Sequence, residues 1–213
     1  SHTAQTDPLR VPSAGKVISK QQGGKAIAMA NISVLGLGNW GTAIARLWLL
    51  EGHKVKGLTI EQEVYESITM DGVNRKYLPN HSVEGLDVTM RIEEAIEESE
   101  ILVLAVPSSV ILEVVKDVLP HLHPGHVLLD LAKGLAPGNQ LISEAIHAML
   151  QEQGMANPLA VLTGPTIAPE AAGGVMTTAL VASEDDSVAQ RLAQTLSTPT
   201  FILHPASDPV GAE

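Results

Sequence analysis

Three glycines between residues 36 and 41 carry the clearest chemical signal. Gly36, Gly38 and Gly41 form the pattern Gly-x-Gly-x-x-Gly directly after the apolar run 32–35 and open an amphipathic stretch. In this context the first glycine permits a tight turn, the second lets the backbone approach a diphosphate, and the third allows close helix–strand packing. The N terminus of the helix then attracts the negative charge of the diphosphate. We interpret the segment as a dinucleotide-binding turn, the alternative being a turn needed only for packing.

An acidic residue that accepts hydrogen bonds from ribose hydroxyls is expected about 20 residues after such a turn. Glu61 lies 20 positions after Gly41, at the end of the apolar run 54–58 and its short extension. It is a candidate ribose ligand and, with equal weight, simply an acid in the first turn of the next helix. No arginine stands at this strand end to meet a 2′-phosphate, although Lys56 is close in sequence. The sequence therefore favours NAD over NADP.

Two further segments place polar groups directly after apolar runs. Lys133 follows residues 127–131, so we expect it at the carboxyl edge of a sheet. A cation there can hold a substrate oxygen and offset charge that develops during hydride transfer, whereas the alternative is a solvated loop lysine. Gly164, Pro165 and Thr166 follow another run, where a Gly-Pro turn exposes backbone N–H groups. The Thr166 hydroxyl can then bind a substrate oxygen.

Alternating strands and helices must position these residues. Short runs rich in Val, Ile and Leu have the character of buried parallel strands, and the stretches between them have helical periodicity. The alternation predicts an α/β fold, a doubly wound Rossmann-type parallel sheet with helices on both faces. The predicted strands are 32–35, 54–58, 86–89, 101–105, 127–130, 159–162, 177–182 and 200–203, and the predicted helices are 40–51, 61–70, 91–97, 109–119, 141–151 and 187–196, the last preceded by an acidic capping segment at 183–186.

Composition excludes several classes of function. The 213 residues include no cysteine, which removes disulfides and thiolate chemistry, and the formal net charge of −11 argues against a nucleic-acid partner. No apolar stretch reaches about 18 residues, so membrane insertion is not expected. We predict no metal site, because His121, His123 and His126 look like a solvated turn. Residues 1–29 are expected to be a disordered leader, 30–205 the dinucleotide-binding domain, and 206–213 the start of a second domain.

Five short motifs occur in the order in which one family carries them. Together they resemble the nucleotide-binding half of NAD(P)-dependent glycerol-3-phosphate dehydrogenase over about residues 31–213. The resemblance implies hydride transfer between NAD(P)H and dihydroxyacetone phosphate or sn-glycerol 3-phosphate, a small phosphorylated three-carbon substrate. The motifs are Gly36-Leu-Gly-Asn-Trp-Gly-Thr-Ala, Asn74-Arg-Lys-Tyr-Leu-Pro79, Ala105-Val-Pro-Ser108, Ala132-Lys-Gly134 and Leu162-Thr-Gly-Pro-Thr166.

The resemblance also implies roles for individual residues. Ile60 stands where many family members carry an arginine for the adenosine 2′-phosphate, which again favours NAD over NADP. Lys133 contacts both cofactor and substrate and polarises the substrate during catalysis. The implied cofactor ligands are Gly36, Gly38, Asn39, Trp40, Gly41, Glu61, Pro107, Lys133 and Ala168, and the implied substrate ligands are Lys133, Gly164 and Thr166.

In this family an all-helical second domain follows a segment like 208–213 and supplies the lysine that accepts the proton. The sequence ends at Glu213, so we expect a cofactor-binding portion without that domain and with little turnover. Two alternatives remain open: a non-catalytic NAD(P)-responsive binding module, or another β-hydroxyacid or ketopantoate-type reductase. The resemblance implies a cytoplasmic protein and is compatible with a homodimer at full length.

Overall fold

The computed structural model describes residues 21–22, 25–26, 28–164 and 168–212. Gln21–Gln22 (β1) pairs antiparallel with Lys25–Ala26 (β2), and both strands lie within the span 1–29 that is predicted to be a disordered leader. That expectation stays a prediction, and residues 1–20, 23, 24 and 27 of the span lie outside the described residues.

An eight-stranded sheet forms the centre of the fold, in the order β12-β11-β10-β7-β6-β3-β4-β5. Its short strands are rich in Val, Leu and Ile, as expected for strands that are covered on both faces. A small hairpin, β8 with β9, lies apart from it. The strands are β3 (Asn31–Leu35), β4 (Lys54–Leu58), β5 (Asp87–Thr89), β6 (Ile101–Leu104), β7 (Val127–Asp130), β8 (Leu135–Ala136), β9 (Gln140–Leu141), β10 (Leu159–Thr163), β11 (Thr177–Ser183) and β12 (Phe201–Ala206).

Helices connect the strands and cover both faces of the sheet. Residues of β3 and β6 alternate between two apolar clusters: Ile32 and Val103 belong to the cluster on the α1 and α7 side, whereas Leu35 and Leu104 belong to the cluster on the α4 and α5 side. The predicted two-layered covering is therefore confirmed. The helices are α1 (Asn39–Glu51), α2 (Gln62–Asp71), α3 (Ile92–Ile96), α4 (Ile111–Val118), α5 (Ile142–Glu152), α6 (Ala168–Ala172), α7 (Asp186–Leu196) and α8 (Pro209–Ala212), and Leu119–His121 forms a 3₁₀ turn.

Six strands, from β5 across to β10, are parallel, and the order reverses between β3 and β6. This is the Rossmann arrangement, and the reversal is the topological switch point at which such sheets bind ligands. The predicted fold class is confirmed, and one edge of the sheet adds a detail: β11 runs antiparallel to β10, and β12 runs parallel to β11. The described part of the connection from β10 holds the five-residue α6, which packs on α1 instead of crossing the sheet as a parallel connection requires.

In the described part of the chain, no helix is long and apolar enough to span a membrane. The longest helix, α1, has 13 residues and buries Trp48 completely. Trp48 Nε1 donates a hydrogen bond of 2.9 Å to the carbonyl oxygen of Leu196, which ties α1 to the end of α7. This contact fixes the helix that begins at the glycine turn against the far edge of the sheet.

Candidate functional site

The glycine turn is a point of very close packing. Gly36 has φ +108, a backbone conformation that residues with a β-carbon rarely adopt, and a β-carbon there would lie 2.7 Å from the carbonyl oxygen of Ala105. A β-carbon on Gly41 would lie 1.9 Å from the carbonyl oxygen of Gly36. Because neither position tolerates a side chain, the turn brings β3, β6 and the start of α1 into direct contact.

Gly38 differs from both of these glycines because it faces open space. Within the described residues, no heavy atom comes within 4 Å of the position that its β-carbon would take. Gly38 is also the N-cap of α1, with no side-chain cap in the part of the protein that the structure describes and no acid in the first helical turn. The first amide groups of a helix have no intrahelical acceptors and attract anions. A diphosphate therefore fits this turn both in shape and in charge.

A cavity of about 700 Å³ opens in front of the turn, a volume typical of small-molecule sites. It spans the carboxyl ends of β4, β3, β6 and β7 and so crosses the switch point. Most of the predicted cofactor ligands lie on the wall of this cavity, although Gly36 and Lys133 are almost 100 residues apart in sequence. The predicted residues on its wall are Gly36, Gly38, Asn39, Trp40, Glu61, Pro107 and Lys133.

A loop after α2 holds the turn and the start of α1 in place. Asn74 is completely buried, and its Nδ2 donates to the carbonyl oxygen of Leu37 at 2.9 Å and to Oγ1 of Thr42 at 2.8 Å. Its Oδ1 accepts a hydrogen bond from the backbone N–H of Tyr77 at 3.1 Å. Asn39 Nδ2 in turn donates to the carbonyl oxygen of Tyr77 at 3.0 Å. From the sequence, Asn74 and Tyr77 were identified only as members of a motif, without this role.

Glu61 stands at the end of β4 with its carboxylate already paired. Oε1 accepts a hydrogen bond of 2.7 Å from the Tyr77 hydroxyl, and Oε2 pairs with the Lys76 ammonium. The contact with Lys76, and after it the hydrogen bond from Tyr77, lowers the pKa of Glu61, and the Glu61 carboxylate raises the pKa of Tyr77. Lys56, the cation nearest in sequence, is directed elsewhere and donates to the carbonyl oxygen of Glu94 at 3.2 Å. The cation at this strand end is therefore Lys76, which sequence reasoning missed.

Lys133 lies at the other end of the cavity. Its Nζ donates a hydrogen bond of 3.1 Å to the carbonyl oxygen of Gly164, so two predicted substrate ligands meet. The turn before Lys133 is fixed by the buried Asp130, whose Oδ1 accepts from the backbone N–H of Ala132 at 2.8 Å. Lys133 follows β7 and Glu61 follows β4, three strand spacings away, which corresponds to roughly 14 Å.

The remaining predicted site residues occupy other positions or lie outside the description. Ala168 is buried in a small cluster with Ala43 and Ala172, and Trp40 packs against this cluster. The Trp40 ring also makes an edge contact with Phe201 at 6.1 Å between centroids. Direct contact of Ala168 with the cofactor stays a prediction. Thr166 and its neighbours in sequence, 165 and 167, lie outside the described residues.

Of the three histidines after α4, His121 and His123 are exposed as predicted for a solvated turn, and His126 departs from that prediction. His126 is completely buried, its Nδ1 accepts from the backbone N–H of His123 at 3.1 Å, and its Nε2 lies 3.0 Å from the carbonyl oxygen of Ile96. The Pro-Gly bend between them folds the two rings onto each other, which removes His126 from solvent. Across the described ranges, no group of three His, Cys, Asp or Glu side chains is arranged to hold a metal ion.

Comparison with known proteins agrees with the geometry of the site. The sequence family described as "NAD-dependent glycerol-3-phosphate dehydrogenase N-terminus" matches residues 31–189. A protein named glycerol-3-phosphate dehydrogenase [NAD(P)+] from Halothermothrix orenii is 36% identical over 183 residues, covering 85% of this chain and 52% of that protein. A protein of the same name from Acidobacterium capsulatum is 37% identical over 191 residues, covering 87% of this chain and 56% of that protein.

Two solved structures share this fold. The crystal structure of glycerol-3-phosphate dehydrogenase from Coxiella burnetii matches with a TM-score of 0.78 and 28% identity, and the match covers 86% of this chain and 55% of that protein. The enzyme from Saccharomyces cerevisiae, at 22% identity and a TM-score of 0.74, shares the fold. The chain spans about half the length of the relatives it matches.

Proposed function

The chain belongs to the family of the N-terminal region of NAD-dependent glycerol-3-phosphate dehydrogenase, and on that premise we propose that it binds NAD(H) across the glycine turn. In the complete protein, this region would serve hydride transfer between NAD(P)H and dihydroxyacetone phosphate or sn-glycerol 3-phosphate. The observation that carries the proposal is the start of α1, where Gly38 leaves open space in front of a helix terminus without a side-chain cap among the described residues.

The diphosphate would lie against Gly38 and the first turn of α1. Backbone N–H groups at this terminus donate to its oxygens, and the helix dipole adds a partial positive charge. Asn39 and Trp40 stand on the wall of the cavity beside these amide groups. Gly36 and Gly41 contribute indirectly, because a side chain at either position would push the turn away from β6. The adenosine would extend towards Glu61, and the nicotinamide towards Pro107 and Lys133.

Lys133 is the group that we assign to the substrate. When NADH is bound, it supplies the hydride to the substrate carbonyl carbon. The Lys133 ammonium donates a hydrogen bond to the carbonyl oxygen and stabilises the negative charge that grows there. Its present partner, the carbonyl oxygen of Gly164 at 3.1 Å, holds the side chain at the edge of β7 and next to the segment that contains Thr166. Gly164 and Thr166 would bind the rest of a small phosphorylated three-carbon substrate.

We further propose that NAD is preferred over NADP. The cavity wall carries three carboxylates, those of Glu61, Glu113 and Asp117, whereas Lys133 is the one Lys or Arg side chain among its described lining residues. Lys133 lies at the far end from Glu61, and Lys76 pairs with both Glu61 and Glu63. A 2′-phosphate on the adenosine ribose would therefore meet a net charge of about −1 from these three groups. Ile60 leaves its side chain in solvent, with 87% of the residue exposed, and offers no cation. For the complete protein we propose a cytoplasmic location and a homodimer.

Parallel titrations with NADH and NADPH test the proposal. We expect NADH to bind more tightly than NADPH. We expect Lys133→Ala to weaken NADH less than it weakens the substrate, because the diphosphate contacts at the start of α1 remain. Addition of glycerol 3-phosphate to the NAD⁺ complex should then report the substrate site. Lys133→Ala should weaken this second step at least about tenfold, the effect of losing a hydrogen bond to a charged group. Binding of neither nucleotide would overturn the proposed function, and unchanged glycerol 3-phosphate affinity would overturn the role of Lys133.

A further inference from the structure

The pairing of Glu61 with the loop after α2 has a consequence for cofactor choice. The loop reaches Glu61 from 15 and 16 positions along the chain, and it supplies two partners of different kinds. Tyr77 is neutral and donates one directed hydrogen bond, whereas Lys76 brings a positive charge. A directed hydrogen bond fixes the orientation of the carboxylate, and a charge changes the potential around it. These are separable effects on whatever ligand lies in front of Glu61.

Tyr77 links the ribose end of the cavity to the diphosphate end. Its backbone N–H donates to Asn74, which contacts the glycine turn through Leu37. Its carbonyl oxygen accepts from Asn39, the first residue of α1. Its hydroxyl donates to Glu61 Oε1 at 2.7 Å. Because the main chain of Tyr77 is held by the glycine-turn network, its hydroxyl gives Glu61 a fixed position relative to the diphosphate. A carboxylate oxygen accepts about two hydrogen bonds, so Glu61 can also accept from a ribose hydroxyl.

Lys76 is bound differently, between two carboxylates and close to solvent. Its ammonium pairs with Glu61 and Glu63, and its side chain is 42% exposed. It also lies 5.3 Å from the centroid of the Tyr77 ring. The ammonium therefore offsets one of two neighbouring negative charges at the position where the ribose 2′ group of a bound nucleotide would point.

We propose that Tyr77 and Lys76 act through Glu61 as positioning residues with opposite effects on cofactor selectivity. Tyr77 orients the carboxylate towards a ribose 2′-hydroxyl and so favours NAD(H). Lys76 offsets the charge that repels a 2′-phosphate and so limits the rejection of NADP(H). This inference rests on the proposed function, in which Glu61 reads the ribose. It predicts that removing either partner changes the ratio of the two affinities, in opposite directions.

Dissociation constants for NADH and NADPH, measured at one fixed ionic strength, test this proposal in two variants. Tyr77→Phe should weaken NADH about tenfold, as expected when a hydrogen bond to a charged group is lost, and leave NADPH within about twofold, so the preference for NADH narrows. Lys76→Met should weaken NADPH several-fold and leave NADH within about twofold, so the preference widens. Equal shifts of both constants would indicate a merely structural role and would overturn the proposal.

Arg75→Met is the matched control for Lys76→Met. Arg75 is the adjacent residue, it is 70% exposed, and it pairs with Asp71 at 3.0 Å. Its removal changes the net charge by the same amount without touching Glu61, so the affinity ratio should stay constant. If Arg75→Met widens the preference as much as Lys76→Met does, a general charge effect replaces the proposed one and the proposal fails.

A Glu61→Gln background shows whether the effect passes through Glu61. Tyr77→Phe should have no further effect on the NADH to NADPH ratio in that background, and Lys76 should then favour NADPH. A full Tyr77→Phe effect on the ratio without the carboxylate would overturn the inference. Failure of the unaltered chain to bind either nucleotide would overturn the proposed function together with this inference, whereas binding with unaltered ratios would overturn the inference alone.

Discussion

Two helices of this fold begin in opposite ways. At α7, the chain completes the helix terminus itself, because Asp185 Oδ1 accepts from the backbone N–H of Ser187 at 2.9 Å and from its hydroxyl at 2.6 Å. At α1, the N-cap is Gly38, and no side chain in the described ranges takes that place. Of the described helices with five or more residues, α1 is also the one without an acid in its first turn.

The difference indicates that the start of α1, and not the start of α7, is suited to bind an external anion. An acid in the first turn offsets the partial positive charge of a helix terminus. The other described helices of five or more residues carry such an acid, although α2, α3, α4 and α5 also lack a side-chain cap. The start of α1 keeps that charge and faces a cavity of about 700 Å³. It is stable in this state because Asn74 and the close contact of Gly36 with Gly41 hold the turn from behind. The start of α1 is thus held in a fixed position, while its first amide groups stay available to a ligand.

The largest expected effect comes from breaking the support behind α1. Gly41→Ala would place a β-carbon 1.9 Å from the carbonyl oxygen of Gly36, and only a shift of helix or turn relieves that contact. We expect the free energy of unfolding to fall by about 3 kcal/mol or more, the upper range for overpacking. Urea denaturation measures this loss. A midpoint equal to that of the unaltered chain would show that α1 does not depend on this close approach.

The next effect comes from making α1 resemble α7. Gly38→Asp supplies a side-chain cap and an acid at a position with nothing described within 4 Å. We expect the free energy of unfolding to rise by a few tenths of a kcal/mol from the cap, and by up to about 1 kcal/mol in all with the helix dipole. NADH affinity should fall at least about hundredfold, because the carboxylate occupies the diphosphate position and its negative charge repels the diphosphate. Titration with NADH and thermal denaturation of the same variant provide both readings. Retained NADH affinity would remove Gly38 from the proposed site.

The reciprocal change makes α7 resemble α1. Asp185→Ala removes the cap of α7, and the loss of a cap in a chain of this size should lower the melting temperature by about 2–4 °C. NADH affinity should stay within about twofold, because α7 lies away from the cavity wall. A parallel Asp185→Asn variant serves as the control, since asparagine caps nearly as well. Loss of NADH binding in Asp185→Ala would mean that the two helix termini are coupled.

The smallest effect is a dependence of this cap on pH. Hydrogen bonds from the side chain and backbone of Ser187 lower the pKa of Asp185 in the folded chain. A carboxyl with a lowered folded pKa stabilises the protein above its unfolded pKa, and this contribution is lost as the pH falls through the folded pKa. The difference in melting temperature between the unaltered chain and Asp185→Ala should be constant down to about pH 4. Below that pH, the difference should shrink towards zero. A gap that widens in acid would contradict this assignment.

The sequence predicted the parts of the fold that rest on local pattern. β4 and β7 match their predictions residue for residue, and Asp185 lies in the predicted capping segment, because apolar runs and caps are local features. The direction of β11 was missed, since it depends on how α6 packs against α1. The partners of Glu61 were missed for a similar reason: Lys76 and Tyr77 reach it through the tertiary fold, and their motif has no period or spacing that points to Glu61.

Hydrogen exchange with and without NADH tests the central claim most directly, because it reads both helix termini in one experiment. The first amide groups of a helix lack intrahelical acceptors, so a bound diphosphate should slow exchange at residues 38–41. We expect strong slowing there at saturating NADH and no change at residues 186–189, where Asp185 already caps α7. Equal slowing at both termini, or none at 38–41 while NADH is bound, would contradict the account.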